Sequence, residues 1–121
     1  MCSSDLTYGH KVGDDVLKRV ADSLNQSVRK QDVVCRYGGE EFLVICPDTP
    51  AEQAYQYAER LRHGVNGIAI HGAHGRDFKL SISIGLASKE PALLNTEILL
   101  QLADKRLYAA KNAGRNRTVA N

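Results

Sequence analysis

A doubled glycine between two short β-prone runs constrains this chain more than any other feature. "DVVCRY" and "EFLVIC" flank "GGE", and residues 32–46 read as a β-hairpin. Helical periods lie on both sides of it. Upstream, Val16, Leu17, Val20, Ala21, Leu24 and Val28 recur at helical spacing, with Gly9 and Gly13 as turn residues and Asp14 as the expected N-cap. Downstream, "TPAEQAYQYAERLRHGV" opens as a capping box, with Thr49 as N-cap, Pro50 in the first turn and Glu52 three residues after the cap. "HGAHGRD" reads as a loop, "FKLSISIGLAS" alternates as a strand, and "TEILLQLADKRLYAAKNAG" is an amphipathic helix closed by Gly114. The order helix, strand, strand, helix, strand, helix implies an α+β or α/β sandwich, because the apolar side of a sheet must be covered by helices. A ferredoxin-like core would open with one more strand.

Composition narrows the class without naming it. A chain of 121 residues holds at most one ordinary domain, and 43% apolar content is enough for a modest core. A net charge of +2 is too small to imply a nucleic acid or a membrane as an obligatory partner. No apolar run approaches the ~20 residues of a membrane span, and Met1 is not followed by a signal-peptide pattern. Cys2, Cys35 and Cys46 form no C-x-x-C pair, which points to a reduced, cytoplasmic chain.

Two stretches carry chemistry. In "RYGGEEF", Gly38 and Gly39 leave the backbone bare for close approach, and Glu40 and Glu41 put carboxylates beside it. Hard oxygen donors next to open backbone suit a Mg-nucleotide site, although a glycine turn flanked by charge is also an ordinary hairpin. In "YAAKNAGRNR", Lys111 and Arg115 stand four apart at a helix C-terminus. They can face the same way toward phosphates, or simply complement the helix dipole.

Taken in order, "YGHKVGDDVL", "RKQDVVCRYGGEEF", "SISIGLA" and "LYAAKNAGRNR" resemble the successive signature segments of GGDEF domains, the diguanylate cyclases of bacteria. The resemblance runs from Thr7 to about Thr118. It implies a nucleotidyl-cyclase-like fold with a ferredoxin-like palm, Mg2+ or Mn2+ as cofactor, and condensation of two GTP to cyclic di-GMP with release of two pyrophosphates. It also implies a homodimer, since each domain presents one GTP and a monomer cannot close the symmetrical product. By the same resemblance, Asp14 reads the guanine edge, Leu17 packs on the base, His10 contacts substrate, and Gly38 and Gly39 admit it to the turn. Glu40 is then the metal ligand and a candidate base for the 3′-hydroxyl, Glu41 its neighbouring acid, and Lys111 and Arg115 the phosphate contacts.

"RKQD" adds a second expectation. Arg29 and Asp32 precede Gly38 at the offset of the family's inhibitory product site, with Arg60 of "AERLR" as the supporting arginine. An arginine can fork onto guanine O6 and N7, and a carboxylate can take a base-edge donor. A non-catalytic cyclic di-GMP receptor using these three residues is the alternative reading. The intact "GGEEF" favours the enzyme. His63, His71 and His74 fit no usual zinc spacing and read as loop residues.

The opening "MCSSDL" fits no part of the pattern. Counted back from Tyr8, the family's guanine-binding Asn falls on Asp5. The adapter string GTGTGCTCTTCCGATCT translates as these six residues when its GTG is read as a start codon, so residues 1–6 are expected to be foreign and 7–121 a GGDEF domain lacking its first strand. That strand, with a metal-binding Asp, is expected between "EFLVIC" and "KLSISIGL", and residues 1–6 are expected to be too short and polar to replace it. The chain as written is therefore expected to be inactive and poorly stable, with any sensory module or membrane tether in a missing N-terminal part.

Overall fold

The computed structural model describes residues 2–4, 10–71, 77–89 and 95–121, with side chains for 15–68, 80–89 and 95–121. Its elements are β1 (Cys2–Ser4), α1 (His10–Ser27), β2 (Val33–Arg36), β3 (Glu41–Ile45), α2 (Ala51–Asn66), β4 (Ala69–His71), β5 (Asp77–Lys79), β6 (Ile82–Gly85), α3 (Thr96–Asn112) and β7 (Thr118–Val119). Five strands form one sheet in the order β2-β3-β1-β6-β7, and β4 and β5 form a separate two-stranded ribbon.

Strand alternation separates the two faces. Phe42 on β3 and Ile82 and Ile84 on β6 point toward α1 and α2, where they join Val16, Val20, Leu24, Tyr57, Ala58, Leu61 and Val65 in the main core. Each such burial contributes about 1.5–3 kcal/mol. Leu43, on the opposite side of β3, packs with Ala103 and Leu107 of α3. Helices therefore cover both faces of the sheet. At Gly85 the backbone of α3 lies almost on β6: an added Cβ would come within 2.1 Å of the Ala103 carbonyl oxygen and 2.2 Å of the Leu107 nitrogen.

Four sequence expectations are corrected. The central gap between β3 and β6 is where it was expected, but Cys2–Ser4 fills it, pairing antiparallel with both neighbours. Ladder bonds use only main-chain groups, so a short polar segment can satisfy two otherwise open edges. Helix α1 starts at His10, not at an Asp14 cap. Each added residue gains a helical hydrogen bond, and one internal glycine costs only about 1 kcal/mol. "FKLSISIGLAS" divides into β5 and β6, since Leu80, 4% exposed, turns into the core between them. Thr49 does not cap α2, whose N-cap is Pro50 with no side-chain bond. Its hydroxyl is taken by the guanidinium of Arg29.

The strand registers fix which loops share an end of the sheet. Arg36, Phe42, Cys2, Ile84 and Thr118 form one row, and Glu41, Ser3 and Ser83 the next. Beyond that second row lie the turn before β3, the exit of β1, the entry of β6 and the turn leading into β7.

Candidate functional site

The hairpin turn is held by its own backbone. Tyr37 and Gly38 both donate N–H bonds to the Glu41 carbonyl, at 2.9 and 3.3 Å, and the Arg36 guanidinium donates to the Gly39 carbonyl. Strand β3 begins at Glu41, so Glu40 belongs to the turn, with its side chain half-buried. Neither Gly38 nor Gly39 has a left-handed φ. Among the described residues nothing lies within 4 Å of a Cβ built at Gly39. Folding therefore makes no demand for glycine there, and what the missing side chain leaves is access.

Lys111 and Arg115 do not share a helix face as their spacing suggested. Lys111 sits in the last turn of α3, while Arg115 follows the helix end in a left-handed turn. Gly114 has φ 119°, Arg115 φ 63° and Asn116 φ 48°. The turn is anchored by the Arg115 N–H on the Ala110 carbonyl at 3.0 Å and the Asn116 N–H on Ser83 Oγ at 3.2 Å. Both clusters occupy the same end of the sheet, separated by three strand spacings, about 14 Å. His10 and Asp14 lie in the first part of α1, and their side chains fall outside the described residues, as do Asp5, Tyr8 and His74. Leu17 packs, half-buried, against the α1–α2 core. Among the described residues no three His, Cys, Asp or Glu groups gather as a metal site.

The second cluster is fully assembled. Arg29 Nε and Nη2 donate to Asp32 Oδ2 and Oδ1 at 3.1 and 3.0 Å, and the Arg29 N–H adds a bond to Oδ2 at 2.9 Å. Tyr57 Oη donates to the same Oδ2 at 2.9 Å. The Asp32 side chain is 0% exposed with both oxygens engaged, so it holds Arg29 instead of facing outward. The Arg29 hydrogen bond is the largest cause that keeps its carboxyl below the usual range, helped by Tyr57. Burial, followed by the bond to Asp32, pushes the Tyr57 hydroxyl up to about 12. Burial likewise raises the nearby Cys46 thiol. The guanidiniums of Arg29 and Arg60 stand 5.4 and 5.3 Å from the centre of the Tyr57 ring. Arg29, Thr49, Gln53, Gln56, Tyr57 and Arg60 line an open pocket of about 520 Å³.

Tyr57 was missed from sequence because it occupies an apolar position of α2. Its signal was a hydroxyl on a core-facing aromatic, which must find a partner when buried.

The sequence profile described as "Diguanylate cyclase, GGDEF domain" matches residues 5–117. The chain belongs to the GGDEF family. The response regulator PleD of Caulobacter vibrioides is 46% identical over 114 residues, which are 93% of this chain and 25% of PleD. Diguanylate cyclase DosC of Escherichia coli is 40% identical over 113 residues, 92% of this chain and 24% of DosC. The chain thus spans about a quarter of the length of these curated GGDEF relatives. The crystal structure of the GGDEF domain of DgcB from Caulobacter crescentus, in complex with c-di-GMP, superposes with a TM-score of 0.89 at 30% identity, covering 98% of this chain and 74% of that one. The active GGEEF domain of a diguanylate cyclase from Vibrio cholerae gives a TM-score of 0.83 at 25% identity, over 98% and 79% of the two chains. The mixed helix-and-sheet architecture is that of GGDEF domains, the cyclase-like fold expected from the motifs. No helix among the described residues is long and apolar enough to cross a membrane.

Proposed function

We propose that the chain is the nucleotide-condensing domain of a diguanylate cyclase, converting two GTP to cyclic di-GMP and two pyrophosphates in a homodimer. The observation that carries this reading is the open Gly38–Gly39 turn with Glu40 and Glu41, at the same end of the sheet as Arg115. The gap between them suits a bound nucleotide better than a direct side-chain contact. In the reaction, the 3′-hydroxyl oxygen of each GTP attacks the α-phosphorus of the other, in line with the bond to the departing pyrophosphate. The hydroxyl proton passes to a base, for which Glu40 is the candidate. Lys111 and Arg115 offset the charge that grows on the phosphate oxygens. Asp14 offers an acceptor for guanine N1–H and the 2-amino group, which adenine does not present, with Leu17 and His10 beside the base and sugar. Holding two substrates face to face is the main work of the domain.

Mg2+ fits the oxygen donors of Glu40 and Glu41, and the nucleotide phosphates and backbone carbonyls would complete its shell. Bound there it would supply positive charge to the reacting phosphate. The neighbouring strand contributes Cys2, Ser3 and Ser4 and no carboxylate, so turnover by the chain as written is expected to be low. The test is GTP turnover, read as pyrophosphate and cyclic dinucleotide, on this chain and on the gene product that carries it. Glu40→Gln is expected to lower the rate of the gene product at least about a hundredfold. An unchanged rate would remove Glu40 from the chemistry.

The Arg29 pocket favours a second, compatible role: binding cyclic di-GMP, either as product inhibition or, in a receptor without turnover, as the sole activity. Two guanidiniums flanking one aromatic ring suit a planar, anionic guanine nucleotide.

A further inference from the structure

The ion pair between Glu59 and Arg62 lies outside every site described so far. Both residues are on α2, and Arg62 Nε and Nη2 fork onto Glu59 Oε2 and Oε1 at 2.6 and 3.0 Å. The Arg62 side chain is 13% exposed and that of Glu59 26% exposed. Arg62 holds Glu59's carboxyl below the usual carboxylate range. The pair reaches far along the chain. Arg62 Nη1 donates to both the backbone carbonyl and the side-chain oxygen of Asn116, at 3.2 and 3.0 Å. Glu59 Oε2 accepts from Thr118 Oγ1 at 3.0 Å.

These bonds grip the unusual stretch of backbone. Arg115 and Asn116 are both left-handed without being glycine, a conformation that persists only when its surroundings over-determine it. The surroundings do so here. The N–H of Asn116 is on Ser83, its carbonyl and amide oxygen are on Arg62, and Thr118 beyond it is tied to Glu59. An isolated surface ion pair would contribute little. This one spends its remaining donor and acceptor on the residues around Arg115.

We infer that Glu59 and Arg62 are positioning residues for Arg115: bracing Asn116 and Thr118 from α2, they hold the left-handed turn that presents the Arg115 guanidinium to a nucleotide phosphate. The inference rests on the proposed phosphate contact of Arg115. Arg62 touches no nucleotide and acts through the turn.

The test is a double-mutant cycle on the 121-residue chain, with the affinity of a GTP analogue bearing an α,β-methylene bridge measured calorimetrically in Mg2+, and circular dichroism melts alongside. Arg62→Met keeps the aliphatic stem and is expected to weaken analogue binding about tenfold. In an Arg115→Ala background, Arg62→Met is expected to cost nothing further, since the group it orients is gone. Arg62→Lys keeps the charge, loses the fork, and is expected to fall between wild type and Arg62→Met. If Arg62→Met does not melt cooperatively, Arg62→Lys carries the same cycle. Losses that multiply, or an Arg62 variant with wild-type affinity, would overturn the inference while leaving the phosphate contact intact. An Arg115→Ala chain with wild-type affinity would instead overturn the phosphate contact itself.

Discussion

The two candidate sites are built in opposite ways. Around Arg29 the chain supplies its own partners: both Asp32 oxygens are used, Tyr57 and Thr49 are engaged, and a pocket of about 520 Å³ already stands open. At the Gly38–Glu40 turn the glycines leave the backbone bare, and among the described residues nothing lies within 4 Å of a Cβ built at Gly39. The first is a finished cluster, whose hydrogen bonds exist before anything binds. The second is bare, and under the proposed function it is one wall of a site that nucleotide, metal and a facing domain would complete. Pre-formed bonding favours binding, whereas chemistry between two substrates needs a surface that closes only when both are present.

The most direct way to break the comparison is to disable the finished site alone. Arg29→Ala removes a guanidinium that both lines the pocket and satisfies Asp32. Losing a hydrogen bond from a charged donor costs about 1.5–3 kcal/mol, so calorimetry should show cyclic di-GMP binding weakened roughly ten- to a hundredfold. Binding of the GTP analogue should be unchanged. Unchanged affinity for cyclic di-GMP would show that the pocket holds something else.

A subtler probe uses acid. The folded-state pKa of Asp32 is depressed, so its stabilisation is present above the ordinary carboxylate range and fades as pH falls through the lowered value. Glu59 behaves in the same direction. Melting temperature should therefore decline on acidification below the unfolded carboxylate pKa, and Asp32→Asn should flatten part of that decline. An Asp32→Asn chain whose acid profile parallels wild type would mean that the Arg29–Asp32 pair is not formed in solution.

The smallest expected effect sharpens the comparison from the other side. Gly39→Ala should change stability by no more than about 0.5 kcal/mol, because the added methyl meets no atom of the described residues. The same change should lower analogue binding if a nucleotide approaches the turn. A melt and a titration on one variant separate the two. A large loss of stability would mean that the turn packs against part of the chain after all.

What could be read from sequence follows from how each signal is encoded. The hairpin was legible because its glycines and flanking β-branched residues are contiguous, and α2 and α3 because their apolar periods are long. Strand β7 was not, since two residues pairing parallel to β6 leave no periodic trace. Strand β1 was misjudged because its three polar residues pair through backbone alone. Thr49 carried a sound local capping signal that a guanidinium 20 residues away overrode. At the sites, the motifs named residues contiguous in sequence. Tyr57, Glu59 and Arg62 were missed, because, apart from the Glu59–Arg62 pair itself, their partners lie 25 to 59 residues distant and no spacing rule connects them.

Gly85 has a mechanical consequence. Helices usually rest on sheets through interlocking side chains, which can repack and let one layer slip past another. At Gly85, where α3 crosses β6, main chain lies against main chain. The chain then leaves α3 and runs straight into β7, stitched to the same strand. The helix that carries Lys111 and leads into Arg115 is thus clamped to the sheet at two points and moves with it as one lever. Under the proposed function, a signal that alters the grip on a nucleotide would swing this whole domain against its partner, not shift α3 within it.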